Sequence, residues 1–511
     1  MTFATLRALH VCIGDAINDL ARIYEARSPS ALDHLDYPSL DVPHYANAPI
    51  SPADQLSEEL INDPSALVAI RHIVAACGQL CAIVSRPGES LIDVAVSVHL
   101  QSCMRFVEAA HIVEILRETG PHGMHVDDIH RWVVDLRPPN AQPDPAILSS
   151  GRLAHVLRVL ATAHWLREVS PNVFANNRRS SALDTGKTLD QLRAQPEKKY
   201  ADTNGLAAAV GQICEYSVSS KMTEWFLPDV RERSLPNRAS RGTEGRSPAD
   251  SASVSYPTAF NLEFNTDLNF FEWLDLPENA FDHERFAHAM NGTSNMEGRQ
   301  DILQAFPWET LSPDAVLVDV GGGIGTASLT VAHAYPDIQV VVEDRSPVVD
   351  MAPAAWGEQY AQIISSGRIS WRARDFFTSW QPLPNGKTPN VFLLRTVLHD
   401  WPDDASRTIL RHLRQGAGPE TKLVIGDALL LPACKSEDSA SLVAEDSPLL
   451  PNLGLASLQL YLVDIMMMNL LAAKERTVSE MEELLRSAGW RAFDIKRSLG
   501  SLRAYITALP V

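Results

Sequence analysis

The chain has 511 residues, 45% of them apolar, which is room for two or three domains with full-sized cores. A formal net charge of -19 leaves no surplus of Lys and Arg to neutralise phosphates, so a nucleic-acid partner is not expected. The six cysteines carry no CxxC pair, which points away from a zinc site or a disulfide framework and toward reduced, mostly buried thiols with no metal.

Residues 1–60 read as an N-terminal helix followed by a linker. Leu6, Val11, Ile13, Ile17, Leu20 and Ile23 recur at helical spacing, and a Pro- and Asp-rich stretch runs from Pro29 to Pro52. The first thirty residues lack the apolar core of a signal peptide, and Asp15, Asp19 and Glu25 do not suit a transit peptide, so a cytoplasmic protein is expected. No later run reads as the roughly 20 apolar residues that span a bilayer, and no membrane partner is expected.

Residues 61–190 form the next unit. Its pattern is mainly helical, with Leu153, Val156, Leu157, Val159 and Leu160 on a late helix, and 166–175 reads as a short hairpin with a Pro171-Asn172 turn. Helices followed by a small hairpin predict a winged-helix-like domain. Its late helix carries only Arg152 and Arg158 as fixed positive charges, so a packing or dimerisation role is favoured over DNA binding. Residues 191–305 read as a helical connector, interrupted by a solvated, disordered insertion at 228–257 that is rich in Arg, Ser and Pro. A second insertion, acidic and Ser-rich, runs from Lys435 to Asn452.

The pattern changes in the last unit, 306–511. Apolar runs Val316 to Val320, Ile338 to Val342, Val391 to Leu394 and Leu423 to Ile425 alternate with helical stretches, which predicts a doubly wound, Rossmann-like α/β sheet with its ligand at the strand carboxyl ends. Gly321-Gly322-Gly323-Ile324-Gly325 follows the first run and precedes a helix beginning near Thr326. Glycines there let the backbone approach a ligand. A dinucleotide fingerprint needs GxGxxG, whereas starts at Gly321 and Gly323 end on Thr326 and Ser328. The GxGxG form, with Gly321, Gly323 and Gly325, suits S-adenosylmethionine (SAM) better. Asp344 closes the second strand about 20 residues on, where a carboxylate can accept both ribose hydroxyls. Asp375 and Phe376 offer an acid for the adenine amino group and an aromatic wall.

With Leu398-His399-Asp400-Trp401-Pro402-Asp403-Asp404 the series of motifs is long. VDVGGGIG, VEDRSPVV, RDFF, LHDWPDD, IGDALLLP, AAKERT and a Gly489-Trp490 turn before a terminal hairpin follow in that order. From about Ala66 onward the chain resembles the plant and fungal SAM-dependent O-methyltransferases of the caffeic acid type (class I). The resemblance implies SAM contacts from Gly321, Asp344, Asp375, Phe376 and Arg395. It makes His399 the general base, flanked by Asp427 and Glu475. Many members carry a longer Glu where this chain has Asp427. The resemblance also implies a homodimer built through the N-terminal helices.

The chemistry fits those residues. A phenol with a pKa of about 10 is a poor nucleophile at neutral pH, so a neutral imidazole must take its proton, and an acid on the other ring nitrogen fixes the tautomer. Met467 and Asn469, on the helical stretch before Glu475, are candidate substrate contacts, and Phe270, Phe271 and Trp273 are aromatic candidates nearby. The leading expectation is O-methylation of a phenolic or enolic hydroxyl on a small secondary metabolite. A second reading stays open: some fungal proteins resembling this family are pericyclases or cyclases that keep SAM without transferring its methyl. In those the catalytic His is commonly replaced, and here His399-Asp400-Trp401 is intact.

Overall fold

The computed structural model describes residues 3–28, 35–46, 48–215, 218–227, 229–230, 257–296, 301–356, 360–435, 442–444, 446–497 and 503–511. In the C-terminal half, strands β4 (Val316–Val320), β5 (Gln339–Asp344), β6 (Ile369–Ala373), β7 (Val391–Arg395), β8 (Lys422–Leu430), β10 (Trp490–Arg497) and β11 (Arg503–Pro510) form one sheet in the order β10-β11-β8-β7-β4-β5-β6. The short β9 (Arg476–Thr477) joins on β8. Pairing is parallel from β6 through β8 and antiparallel at β11 and β10.

Every residue of β4 is buried, because both faces of the sheet are covered. Val316, Val318 and Val320 pack into a core with Leu410 and Leu485 of helices Asp403–Gly416 and Val478–Ser487, whereas Leu317 joins Leu329, Val331 and Trp308 on the opposite face. The chain winds outward from β4 through β5 to β6 and then returns to β4's other side as β7. The switch of direction between β4 and β7 opens the crevice in which doubly wound sheets bind ligands.

The N-terminal half is helical around one small antiparallel sheet, ordered β1-β3-β2, of β1 (Met124–His125), β2 (Arg167–Ser170) and β3 (Val173–Ala175). The β2–β3 turn has Asn172 in the left-handed region, φ 63°, as the Pro-Asn pair suggested. Leu153, Leu157 and Leu160 of helix Ser150–Thr162 pack with Ile115, Ile129 and Phe174. Arg158, one of that helix's two fixed charges, is held by Glu168, Nη2 to Oε1 2.7 Å, so its charge is already matched.

Three expectations need correction. Helices Pro64–Val84 and Gly454–Leu471 are long and apolar enough to cross a membrane by length and composition, with mean hydropathy 1.9 and 1.4. The isolated polar residues, such as Arg71 and His72, had masked the length of the first. The cysteines are free but not mostly buried: Cys77, Cys81 and Cys434 are exposed and Cys12, Cys103 and Cys214 half-buried. The described part of the second insertion is not simply solvated, since Leu442, Val443 and Leu449 pack with Leu9 and Ala76 of the first helix and helix Pro64–Val84, and Gln79 donates to the Pro448 carbonyl at 2.7 Å. The first insertion, 228–257, lies almost wholly outside the described residues.

Candidate active site

The glycine turn after β4 is built for close approach. Gly321, Gly323 and Gly325 have φ of 69°, 60° and 91°, a region L side chains rarely enter. A Cβ on Gly321 would meet Val397 at 2.9 Å, while one on Gly323 would meet nothing within 4 Å, so the turn's backbone faces open space there. Asp344, at the end of β5, holds this turn: its Oδ2 accepts the Gly323 N–H at 2.8 Å and its Oδ1 accepts the Arg345 N–H at 2.7 Å. Burial raises the Asp344 pKa, opposed by these two N–H donors. Below the turn, buried Asp319 accepts from Ser328 Oγ at 2.6 Å, and a Cβ on Gly322 would strike its carboxyl carbon at 2.5 Å. Open backbone beside an anchored carboxylate fits the amino-acid and ribose parts of SAM.

Phe376 stands beside the same turn, 3.7 Å from where a Gly321 Cβ would lie. The exposed Asp375 accepts the Phe377 N–H at 2.8 Å, which fixes the local bend. Arg395, at the end of β7, turns its guanidinium to Asp301 (Nη2 to Oδ1 3.8 Å) and the Tyr505 hydroxyl (Nε to Oη 3.3 Å). Tyr505 in turn donates to Asp301 at 3.1 Å. Asp301 and Tyr505 were not singled out from the sequence, because an acid and a phenol about 200 positions apart share no local signal.

Four residues past β7 lies the catalytic candidate. His399 sits on the turn Leu398–Asp400, just beyond Thr396, whose φ of 58° bends the chain out of the strand. Its Nδ1 is 2.7 Å from Glu475 Oε1, and its Nε2 is 3.4 Å from Asp400 Oδ1. Asp427, on β8, makes no hydrogen bond to the ring, as its shorter side chain suggested, yet it contributes to the field there. Asp400 was read only as part of a motif, and the structure adds it to the cluster. Burial, the largest influence, disfavours a charged His399. The carboxylates of Asp400, Glu475 and Asp427 together outweigh it and hold its pKa well above that of ordinary imidazole. Asp400 and Asp427 are pushed above the usual carboxylate range, chiefly by burial.

The sign of the pH dependence follows. A base must be neutral, so if His399 takes the acceptor's proton, activity is expected to rise as pH climbs through its raised pKa. Glu475→Gln removes a carboxylate that favours imidazolium, so the rising limb of kcat/KM moves to lower pH while its plateau falls. A limb that stays in place would show that Glu475 does not act on His399.

Beside this cluster lies an aromatic group. Phe260, Phe270, Leu274 and Leu470 form its buried centre, with Phe271, Trp273, Phe286 and Met466 packed against it. Phe271 reaches Trp401, ring centroids 6.2 Å apart, which links the group to the His399 turn. Met466 packs against the aromatics, and Met467, its neighbour on helix Leu458–Leu471, is buried. Asn469 is fully buried and donates to Ser219 Oγ at 3.1 Å. No group of three or more His, Cys, Asp or Glu suited to a metal occurs among the described residues.

The chain matches the model of the O-methyltransferase domain over residues 263–491. It is 35% identical to an O-methyltransferase of Armillaria gallica, covering 89% of this chain and 92% of that one. It is 34% identical to 4-O-methyltransferase 1 of Phanerochaete chrysosporium, covering 88% and 90%. Among solved structures, LepI in complex with SAM superposes with a TM-score of 0.60 at 19% identity, covering 90% of this chain and all of that one, which shows a shared fold. Glycine turn, fold and relatives agree: this chain is a member of the plant and fungal O-methyltransferase family, an enzyme that uses SAM as its cofactor.

Proposed function

We propose that the enzyme methylates a phenolic or enolic hydroxyl of a small secondary metabolite, with His399 as the general base. The observation that carries this reading is the His399–Glu475 pair at 2.7 Å, beside an aromatic group that reaches Trp401. When bound, SAM supplies an electrophilic methyl on a sulfonium. The chain's own residues then have to orient the acceptor, exclude water and receive its proton. At 3.4 Å the Asp400 contact with Nε2 is longer than a good N–H···O bond, so that nitrogen can turn to an acceptor hydroxyl. Glu475 on Nδ1 fixes the tautomer and stabilises the imidazolium that forms. A cation in the same site disfavours a second positive charge on the ring, which supports a neutral base in the cofactor-bound enzyme. The intact pair argues for methyl transfer over a cyclase that merely retains SAM.

Acceptor acidity tests the reading. Phenols with pKa near 10 should be methylated and aliphatic alcohols of matched size should not, measured as S-adenosylhomocysteine released per acceptor. Equal turnover of both classes would overturn it.

We further propose a homodimer whose N-terminal half has a winged-helix-like arrangement, with no nucleic acid bound. Helix Pro87–Val96 buries none of its residues, and Leu91, Ile92 and Val94 are 72%, 64% and 74% exposed, an apolar face of the kind that subunit contacts cover. Leu91→Glu with Ile92→Glu should shift the sedimenting species from dimer to monomer. A wild-type protein that sediments as a monomer would contradict the proposal.

A further inference from the structure

His399 and Glu475 lie on separate stretches of chain, and the bond between them demands that both be held to a fraction of an ångström. The residue next to Glu475 is Arg476, whose side chain is 1% exposed although it carries a fixed charge. Its guanidinium turns to the back of the His399 turn, where Nη1 donates to the Leu398 carbonyl at 2.8 Å and Nη2 to the Trp401 carbonyl at 2.8 Å. Those carbonyls bracket His399 and Asp400. Nη2 also meets Ser406 Oγ at 3.1 Å, and Ser406 itself donates to the same two carbonyls at 3.2 and 3.0 Å. Nε donates to Asp403 Oδ1 at 2.9 Å, which orients the fork; Lys474 holds the other Asp403 oxygen at 3.1 Å.

The backbone of Arg476 is tied as firmly. It pairs with Leu429 on β8, the strand that carries Asp427, and the preceding Glu475 N–H donates to Asp464 Oδ1 at 2.8 Å. One residue thus connects the strand of Asp427, the turn of His399 and the neighbouring Glu475. A planar guanidinium can meet these divergent acceptors at once, whereas an ammonium on a flexible stem cannot hold all of them in one geometry.

We propose that Arg476 is a positioning residue: by clamping the Leu398 and Trp401 carbonyls it sets the register of the His399 turn against Glu475. The proposal rests on His399 being the base. Misplacing reacting groups by about 1 Å costs on the order of 10²-fold in rate, which sets the size of the effect.

The test uses the full-length enzyme with Arg476→Lys, which keeps the charge and loses the fork, and Asp403→Asn at the half-exposed partner, which is less prone to unfold the protein. Arg476→Lys is expected to lower kcat by about 10- to 100-fold with KM for SAM and acceptor unchanged, and to move the rising pH limb toward ordinary imidazole. Asp403→Asn should do the same to a smaller degree. An activity-independent readout is the ¹⁵N resonance of the His399 ring in the protein without acceptor, whose titration should shift downward in both variants. Variants that lose thermal stability or kcat but keep the wild-type His399 titration and pH limb would reduce Arg476 to a structural residue and overturn the proposal. His399→Ala run in parallel separates the two ideas: turnover retained in that variant removes the base, whereas an unshifted ring titration in Arg476→Lys removes only the clamp.

Discussion

His399→Ala is expected to lower kcat for methyl transfer by about 10²- to 10⁴-fold, the range that a positioned general base supplies, and to leave SAM affinity as it was. The two functions separate because the structure separates them. The glycine turn and Asp344 sit at the ends of β4 and β5, while His399 lies on the turn beyond β7 and is fastened to Glu475 ahead of β9. Loss of the imidazole also removes a charge that holds down the pKa of Asp400 and Asp427, so these two carboxylates take up protons more readily. The residual rate should therefore lack the rising limb of the wild-type pH profile. Calorimetric titration with SAM and steady-state kinetics on the same preparation check both halves, and a variant with wild-type kcat would remove His399 from the chemistry.

The second large effect is expected at the cofactor. Asp344→Ala removes the carboxylate expected to accept the ribose hydroxyls and also frees the Gly323 N–H that it holds at 2.8 Å. Hydrogen bonds to a charged group are worth about 1.5–3 kcal/mol each, so losing two of them weakens SAM binding by about 10²-fold or more. Asp344→Asn should fall between the two, because an amide oxygen can still accept from Gly323. Unchanged SAM affinity in the alanine variant would mean that the ribose is held elsewhere.

The sheet was legible in the sequence where both faces are covered. β4, β5, β7 and β8 appear as mainly apolar runs, and Gly489-Trp490 marks the entry to β10. β6 was not, since Ile369-Ser-Trp-Arg-Ala alternates as an edge strand does and resembles a loop when read alone. Of the candidate site, the glycines, Asp344 and Phe376 were singled out from short-range motifs, and the role of His399 from the resemblance. Glu475 and Asp427 came from the resemblance, and the geometry distinguishes them, one bonded to Nδ1 and the other contributing only charge. Arg476 carried no visible signal, because a lone Arg in AAKERT looks like a solvated cation until the Leu398 and Trp401 carbonyls are seen around it. Met466 and Met467 are adjacent on one helix, and only the packing of Phe271, Phe286 and Trp273 shows that Met466 meets the aromatics.

The central claim is that the SAM methyl moves to an acceptor oxygen in this site. Its most direct test follows SAM carrying a ¹³C-labelled methyl, by NMR, in the presence of the enzyme and an acceptor phenol. The label is expected to leave the sulfonium and appear as a new methoxy carbon, with one S-adenosylhomocysteine formed for each. A label that stays on the sulfonium while a polyene or quinone methide rearranges in the same site would contradict it.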